Sequence, residues 1–439
     1  MTNAIHRRGP THRLPGLVLT DHEFDVPLDH ARPDAGSLTV FAREAVAPKR
    51  EDDDLPWLVF FQGGPGYGSP RPLGWGGWIG RALEEYRLLL LDQRGTGRSS
   101  PISHLTLAGL PDAAAQAEHL THYRADAIVS DAELIRAALC GDEPWAILGQ
   151  SYGGFCALRY LSAHPEGLSR VLVTGGLPSL SRPAEDVYHA TYPRIIARNE
   201  RYYDRYPSDI EHVRRIVGHL QQHDVRLPNG DRLSPRRLQQ LGLAFGMSDG
   251  FETVHYLLEE AFVPGAGGEV LSDNFLHAVD DALPYETHLI FSILHEAAYC
   301  QGEASRWAAQ RVLAEFPGIE LPAEGLPEGP VPFTGEMIYP WMFEEYRALR
   351  PLAEAARILA EKDDWAPLYD LDVLAANPVP CAAVVFEDDM YVERRFSMET
   401  ADQVASLRVW HTNEYDHNAL RADGKRVLGR LLDLVDGYA

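Results

Sequence analysis

One segment in the first half of the chain limits the fold more than any other. Residues 145–149 (WAILG) form a short apolar run that leads directly into Gly149-Gln150-Ser151-Tyr152-Gly153, and the residues that follow have helical character. Such a run is typical of a buried strand, and glycines on both sides of a serine permit a tight turn into a helix. A serine held out of a sheet at such a turn is a candidate nucleophile. The alternative is a plain glycine-rich turn, because Gly and Ser are common residues.

Similar apolar runs recur along the chain and alternate with helical segments. They lie at 55–61 (LPWLVFF), 87–92 (RLLLLD), 170–176 (RVLVTGG), 381–389 (CAAVVFEDD) and 407–417 (LRVWHTNEYDH), and two further short strands are expected within 17–47. Strands that alternate with helices predict a mostly parallel sheet covered by helices. Together with the serine turn, this pattern predicts the α/β class and the α/β-hydrolase fold.

The pattern changes between residues 181 and 365. This stretch is rich in Arg, Glu, Tyr and Leu at helical spacing, and no buried strand is evident in it. We therefore expect a first core part at 1–180, a helical cap domain at 181–365 inserted before the last strands, and a second core part at 366–439. A final amphipathic helix is expected from about 418 to 435.

Charge and cysteine usage exclude several classes of function. The 439 residues carry a formal net charge of -24, so nucleic acid and membrane surfaces are not expected as partners. The four cysteines are scattered without a C-x-x-C pair, which favours reduced thiols over a disulfide frame or a zinc site. No segment approaches the roughly 18 apolar residues of a membrane span, and residues 1–16 contain no apolar leader. A cytoplasmic enzyme is expected, and its oligomeric state is not readable.

A serine nucleophile needs a base and an acid, which follow it in the chain in this fold. His417 follows the last predicted strand, and Asp388 and Asp389 follow the strand before it. Side chains at the carboxyl ends of neighbouring parallel strands can reach the serine. His417 would accept the serine proton, and the aspartate would orient the imidazole. We favour Asp389, with Asp388 as the alternative.

The loop after the strand at 55–61 is the candidate oxyanion hole. Gly63 and Gly64 are adjacent there and allow the backbone to approach a substrate, and the N–H of Tyr152 is the second expected donor. The spacing is not G-x-G-x-x-G, and Pro65 lacks an N–H, so a dinucleotide is not predicted. His295-Glu296 lacks the second histidine of H-E-x-x-H. No cofactor and no metal are expected.

At this point the sequence resembles a known family, the proline iminopeptidases, in their longer type. The resemblance is carried by GGPG at 63–66, DQRGTGRS at 92–99, GQSYGG at 149–154, FEDDMYV at 386–392 and EYDH at 414–417. It extends into the cap through LHEAAYCQGEASRWAAQ and FTGEMIYPWMFE. One departure is Gln62, which stands where the shorter members have histidine.

The resemblance implies a serine aminopeptidase that releases an unblocked N-terminal residue, preferentially proline, from a small peptide or amide. The triad carries over to Ser151, Asp389 and His417. The family also uses cap glutamates to hold the free ammonium of the substrate; Glu296 resembles one of these, and Glu336 is a second candidate. The alternative for each glutamate is a surface salt bridge. Asp92 and Arg94 are expected to hold their loop by an ion pair.

Two other functions stay open. An esterase, amidase or broader exopeptidase would use the same triad, and the cap pocket would distinguish it. A hydrolase-fold protein that binds a ligand without turnover is disfavoured, because all three triad residue types are present.

Overall fold

The computed structural model describes residues 4–322 and 325–437. Its strands are β1 (Ile5–Leu14), β2 (Leu17–Pro27), β3 (Ser37–Val46), β4 (Trp57–Phe61), β5 (Arg87–Leu91), β6 (Trp145–Gln150), β7 (Leu168–Thr174), β8 (Phe262–Gly265), β9 (Gly268–Leu271), β10 (Cys381–Phe386) and β11 (Leu407–Thr412). Nine of them form one sheet in the order β1-β2-β3-β5-β4-β6-β7-β10-β11, and β8 pairs with β9 alone.

The α-helices cover this sheet and fill the insertion. Before the insertion they are α1 (Gly77–Ala82), α2 (His104–Leu107), α3 (Ala113–Thr121), α4 (Ala125–Cys140) and α5 (Tyr152–Ala163). Within it they are α6 (Ala184–Arg205), α7 (Asp209–Gln222), α8 (Pro235–Gln239), α9 (Gly250–Glu259), α10 (Asp273–Ala282), α11 (Leu289–Leu294), α12 (Ala308–Leu313), α13 (Met342–Glu345) and α14 (Ala353–Glu361). After it come α15 (Leu371–Ala375), α16 (Arg394–Gln403), α17 (Ala419–Ala422) and α18 (Gly424–Asp436). Short 3-10 helices lie at Pro33–Ala35, Pro48–Arg50, Pro165–Gly167, Gln240–Gly246, Glu296–Ala298 and Arg350–Leu352.

The central strands are apolar throughout because both faces of the sheet are covered. Val59 and Phe61 of β4 belong to the hydrophobic cluster built with α4, α5 and the insertion. Their neighbours Leu58 and Phe60 belong to a second cluster, built with α1 and α18. Successive side chains in a strand point to opposite faces, so a strand buried on both sides loses its alternating pattern.

Strand direction places the loops that carry the candidate residues on one edge of the sheet. The pairs β5–β4, β4–β6, β6–β7, β7–β10 and β10–β11 are all parallel. The carboxyl ends of these strands therefore lie together, which is where ligands bind in open α/β sheets. The strands β1, β2 and β3 extend the sheet in antiparallel pairs.

Two strand regions and one helix differ from the sequence-based expectation. The strand β1 was not expected, and nearly all of its residues are exposed. The hairpin β8–β9 lies inside the insertion, where no buried strand was evident, and it is mostly exposed. The expected C-terminal helix is divided into α17 and α18 at Asp423, which has φ -144°.

Two further observations concern helix length and the cysteines. In the described ranges, no helix combines the length and the apolar character needed to cross a membrane. The four cysteines Cys140, Cys156, Cys300 and Cys381 carry free thiols.

Candidate active site

Ser151 lies at the turn that joins β6 to α5, with φ 52° and ψ -124°. Residues other than glycine rarely adopt such a conformation, and holding one there costs about 1–3 kcal/mol. The turn is tight: a Cβ on Gly153 would lie 2.0 Å from the carbonyl oxygen of Phe61, and one on Gly149 would lie 2.4 Å from that of Gly153. Both glycines of the sequence pattern are therefore required by close backbone contacts. The turn leaves Ser151 partly exposed at the carboxyl edge of the sheet.

His417 and Asp389 form a buried pair on neighbouring loops. His417 Nδ1 and Asp389 Oδ2 are 2.8 Å apart, and the side chains are 6% and 2% exposed. Asp389 Oδ1 accepts hydrogen bonds from the N–H groups of Tyr391 and Val392, at 2.9 and 3.1 Å. Burial acts to lower the pKa of His417, but the adjacent Asp389 raises it, and the net pKa is above the ordinary value. Because Nδ1 faces the carboxylate, Nε2 is the ring nitrogen left for another group.

The other candidate acid, Asp388, makes different contacts. Its Oδ2 accepts a hydrogen bond from Arg201 of α6 at 2.7 Å. That hydrogen bond lowers the pKa of Asp388, with further lowering by nearby arginines. Asp389 is thus the aspartate beside His417, and Asp388 faces the insertion.

Two glycines after β7 bring Ser151 and His417 against the same backbone segment. A Cβ on Gly175 would lie 3.1 Å from His417 Nδ1. A Cβ on Gly176 would lie 2.3 Å from the carbonyl oxygen of Ser151. The candidate nucleophile and base therefore flank the start of the loop that follows β7.

The glycine loop after β4 lies directly beside Ser151. A Cβ on Gly63 would be 2.9 Å from Ser151 Cβ and 3.5 Å from its Oγ. The N–H of Gly63 donates to the side-chain Oε1 of Gln62 at 2.9 Å. A substrate oxyanion would have to replace Gln62 as the acceptor of that N–H. The bond between Gly64 and Pro65 is cis.

Asp92 and Arg94 hold their loop through separate partners rather than through each other. Asp92 accepts from the N–H groups of Ser69 and Arg98, each at 2.9 Å, and pairs with Arg71. Arg94 pairs with Asp131 of α4 through its Nε at 2.7 Å. The expectation of one ion pair between the two is wrong, because Asp92 pairs with Arg71 and Arg94 pairs with Asp131.

Glu296 is buried, and each of its carboxylate oxygens accepts a backbone hydrogen bond. Its carboxylate accepts hydrogen bonds from the N–H groups of Ala308 and Ala309, at 3.1 and 2.9 Å. These are the first two residues of α12, whose preceding residue, Trp307, offers no side-chain cap. Burial raises the pKa of Glu296, and the two N–H donors oppose that rise. Glu296 thus caps a helix of the insertion.

Glu336 has a different environment. Burial raises its pKa to about 8, with a smaller lowering by His417 and a further rise from Asp389. After burial, the charge of Glu336 is the next cause of the raised pKa of the Tyr67, Tyr299 and Tyr391 phenols. The charges of Glu336, of the His417–Asp389 pair and of these tyrosines therefore influence one another.

The sequence analysis did not identify the aromatic side chains that pack near the site. Tyr67 stacks on His288 at 3.9 Å between ring centroids, and it meets the edge of Phe291 at 5.6 Å. Phe291 in turn meets His295, and His295 meets Tyr299. The spacing of 291, 295 and 299 is that of one helical face, which is the signal that the sequence offered.

Comparisons with known proteins identify the fold and the family. Residues 56–218 match the family model described as the alpha/beta hydrolase fold, and the predicted α/β-hydrolase fold is confirmed. The chain is 52% identical to a proline iminopeptidase from Aeromonas sobria, over 96% of this chain and 97% of that protein. A proline iminopeptidase from Aspergillus aculeatus is 36% identical, over 97% of this chain and 96% of its own length. The crystal structure of proline iminopeptidase from Mycobacterium smegmatis aligns with a TM-score of 0.46 at 12% identity, over 94% of this chain and 98% of that one.

Proposed function

Because the chain belongs to the proline iminopeptidase family of α/β hydrolases, we propose that it is a serine aminopeptidase that releases an unblocked N-terminal residue, preferentially proline, from peptides. The observation that carries this proposal is the position of Glu336. The positive charge of His417 lowers the pKa of Glu336 and the charge of Asp389 raises it, which supports a position of Glu336 close to that pair. In an N-terminal residue, the ammonium nitrogen is two bonds from the scissile carbonyl carbon. A carboxylate close to the His417–Asp389 pair would therefore select the end of a peptide rather than its middle.

The proposed chemistry follows from the three side chains at the edge of the sheet. Ser151 Oγ attacks the carbonyl of the N-terminal residue while His417 Nε2 takes its proton. His417 then protonates the departing amine of the second residue, which leaves an acyl-enzyme on Ser151. A water molecule, deprotonated by His417, releases the free amino acid. Asp389 holds the imidazole and stabilises its charged form.

The oxyanion that forms in both steps needs N–H donors. We assign this role to Tyr152, at the first position of α5, and to the Gly63–Gly64 loop. The N-terminus of α5 adds its partial positive charge at the same place. Gln62 must release the N–H of Gly63 for that donor to serve.

We propose Glu336 as the main partner of the substrate ammonium. With a pKa of about 8, Glu336 is mostly protonated in the free protein near neutral pH, and the arriving ammonium would favour its ionised form. Glu296 was the other candidate, but its oxygens accept two backbone N–H groups at the start of α12. The tyrosines around Glu336 provide apolar ring faces for the pyrrolidine of proline and electron-rich surfaces for its positive charge.

Two further proposals concern the domain organisation and the cellular compartment. We propose that residues 181–365 act as a cap domain between core parts 1–180 and 366–439, because the described helices α6 to α14 are inserted there between the core strands β7 and β10. We also propose that the enzyme acts in the cytoplasm, where its four free thiols would stay reduced.

The first test compares hydrolysis of prolyl-, alanyl- and N-blocked prolyl-p-nitroanilide with that of p-nitrophenyl acetate. We expect the free prolyl substrate to be preferred and all turnover to be lost in Ser151→Ala. Cleavage of the ester alone, still dependent on Ser151, would keep the mechanism and reject the aminopeptidase in favour of an esterase.

The second test addresses the ammonium partner. Glu336→Gln should raise KM for the prolyl substrate at least tenfold, because a charge-assisted contact contributes about 1.5–3 kcal/mol. It should leave ester cleavage nearly unchanged, because the ester carries no ammonium. Glu344→Gln, an exposed carboxylate at α13, is the matched control and should behave as the parent protein.

A further inference from the structure

We propose that Arg198 of α6 is a positioning residue for catalysis: it holds the loop of Asp389 and the loop of His417 together, so that the catalytic pair is assembled only when the insertion is in place. This inference rests on the triad proposed above. It concerns how the acid and base are oriented rather than how the substrate is bound.

A single guanidinium nitrogen makes the connection. Arg198 Nη2 donates to the backbone carbonyl of Asp388 at 2.8 Å and also to Oδ1 of Asp416. Asp388 directly precedes Asp389, and Asp416 directly precedes His417. Arg198 is 8% exposed, so these contacts are sheltered from competing water.

Arg198 differs in this respect from the other arginines on the same side of α6. Arg194 pairs with Glu393 at 2.9 and 3.1 Å, and Arg201 pairs with Asp388 at 2.7 Å. The spacing of 194, 198 and 201 places all three on one helical face. Arg194 and Arg201 hold only the loop after β10, whereas Arg198 reaches the loop after β11 as well.

The His417 loop has further anchors in the insertion. The N–H of His417 donates to the carbonyl of Gly246 at 3.2 Å, and the N–H of Ser248 donates to Asn418 Oδ1 at 3.0 Å. Tyr391 packs so closely on Gly246 that an added Cβ would lie 2.2 Å from its ring. The insertion therefore contacts both catalytic loops, and Arg198 is the side chain that joins one loop to the other.

Loss of this bridge should be seen in the chemical step. A misplacement of about 1 Å in a catalytic group costs roughly 100-fold in rate. We expect Arg198→Met to lower kcat by about 10–100-fold on both prolyl-p-nitroanilide and p-nitrophenyl acetate, with KM for the prolyl substrate nearly unchanged. Arg198→Lys keeps the charge and should restore part of kcat.

A second readout separates positioning from general destabilisation. The proton shared by His417 Nδ1 and Asp389 gives a downfield signal in the proton NMR spectrum of a Ser-His-Asp enzyme. This signal should be lost or broadened in Arg198→Met and partly restored in Arg198→Lys. Arg182→Met is the matched control: Arg182 joins the start of the insertion to Glu399 of α16 at 2.8 and 2.9 Å, and it touches neither loop. Both kcat and the signal should be unchanged there.

The outcomes can be told apart. Wild-type kcat in folded Arg198→Met, or a change in KM alone, would overturn the inference. If Arg198→Met does not fold, Asp416→Ala removes the contact between Arg198 and the His417 loop at its partly exposed partner. An unchanged kcat in Asp416→Ala would also overturn the inference. Full activity in His417→Ala would instead reject the proposed triad itself.

Discussion

At the scale of the single residue, Glu336 is proposed to bind the substrate in its ionised form, and the same ionised form lowers the stability of the folded protein. Its pKa of about 8 in the folded protein lies well above the ordinary value of 4.5. The folded state therefore binds a proton more tightly than the unfolded chain does. By linkage, the free energy of unfolding decreases as the pH rises between these two values.

Glu336→Gln should remove this pH-dependent loss. We expect the variant to be more stable than the parent by up to about 5 kcal/mol above pH 8 and to differ little near pH 4.5, because each unit between pKa 4.5 and about 8 corresponds to about 1.4 kcal/mol. Urea unfolding at a series of pH values measures the difference. A gain that is the same at every pH would contradict the assignment of the titration to Glu336.

Position 153 requires glycine because a side chain there would collide with the backbone, and not because of its dihedral angles. Gly153→Ala would place a Cβ 2.0 Å from the Phe61 carbonyl, so the turn around Ser151 must shift. We expect a loss of about 3 kcal/mol of stability, at the upper end of the cost of forced overpacking. Thermal unfolding provides the measurement.

Gly429 serves as the control for this substitution. It lies in α18, where an added Cβ meets only Arg81 Nε at 3.6 Å. Gly429→Ala should stabilise the protein by about 0.5–1 kcal/mol, because alanine restricts the unfolded chain and favours the helix. Equal destabilisation of both variants would contradict the contact argument.

Some residue assignments were readable from the sequence and others were not. Ser151 and His417 stand out because strand patterns precede both of them. Asp388 and Asp389 cannot be separated by pattern, because which of two adjacent side chains faces His417 depends on the turn after β10. Glu296 and Glu336 are both acids in a helical region; Glu296 differs because the chain returns at residues 308–309 to place two N–H groups on its carboxylate.

At the scale of the element, the burial of a strand determines whether its sequence pattern predicts it. The central strands β4 to β7 and the strand β10 were expected because their apolar runs are continuous. The strand β1 carries almost no buried side chain, so neither apolar nor alternating pattern marks it. The hairpin β8–β9 was missed for the same reason.

The helix α12 depends on a side chain from outside itself. Glu296→Ala would leave the N–H groups of Ala308 and Ala309 buried without an acceptor, which costs about 1–3 kcal/mol. Glu296→Gln keeps one oxygen acceptor and should cost less. We expect both variants to lower Tm while KM for prolyl-p-nitroanilide stays near the parent value. A tenfold rise in KM at unchanged Tm would instead identify Glu296 as an ammonium partner.

At the scale of the whole molecule, the charge of -24 acts on every approaching substrate. A substrate whose only charge is its ammonium, such as prolyl-p-nitroanilide, is attracted by this field, and salt shortens the range of the field from about 10 Å at 0.1 M to about 3 Å at 1 M. KM for the prolyl substrate should therefore rise severalfold across this range, whereas KM for neutral p-nitrophenyl acetate should not. A parallel change for both substrates would mean that salt acts on the fold rather than on attraction.

The contacts between α6 and the two catalytic loops also restrict how such proteins can diverge. The segment proposed to choose the substrate is the same one that holds the residues before Asp389 and His417. An insertion taken from another protein and exchanged as a whole would bring a new pocket. It would also remove the contacts from α6 that hold the loops of Asp389 and His417. Chimaeras of this kind should be inactive even when they fold. New specificities would instead arise by point substitutions around Glu336 that leave the arginine face of α6 intact.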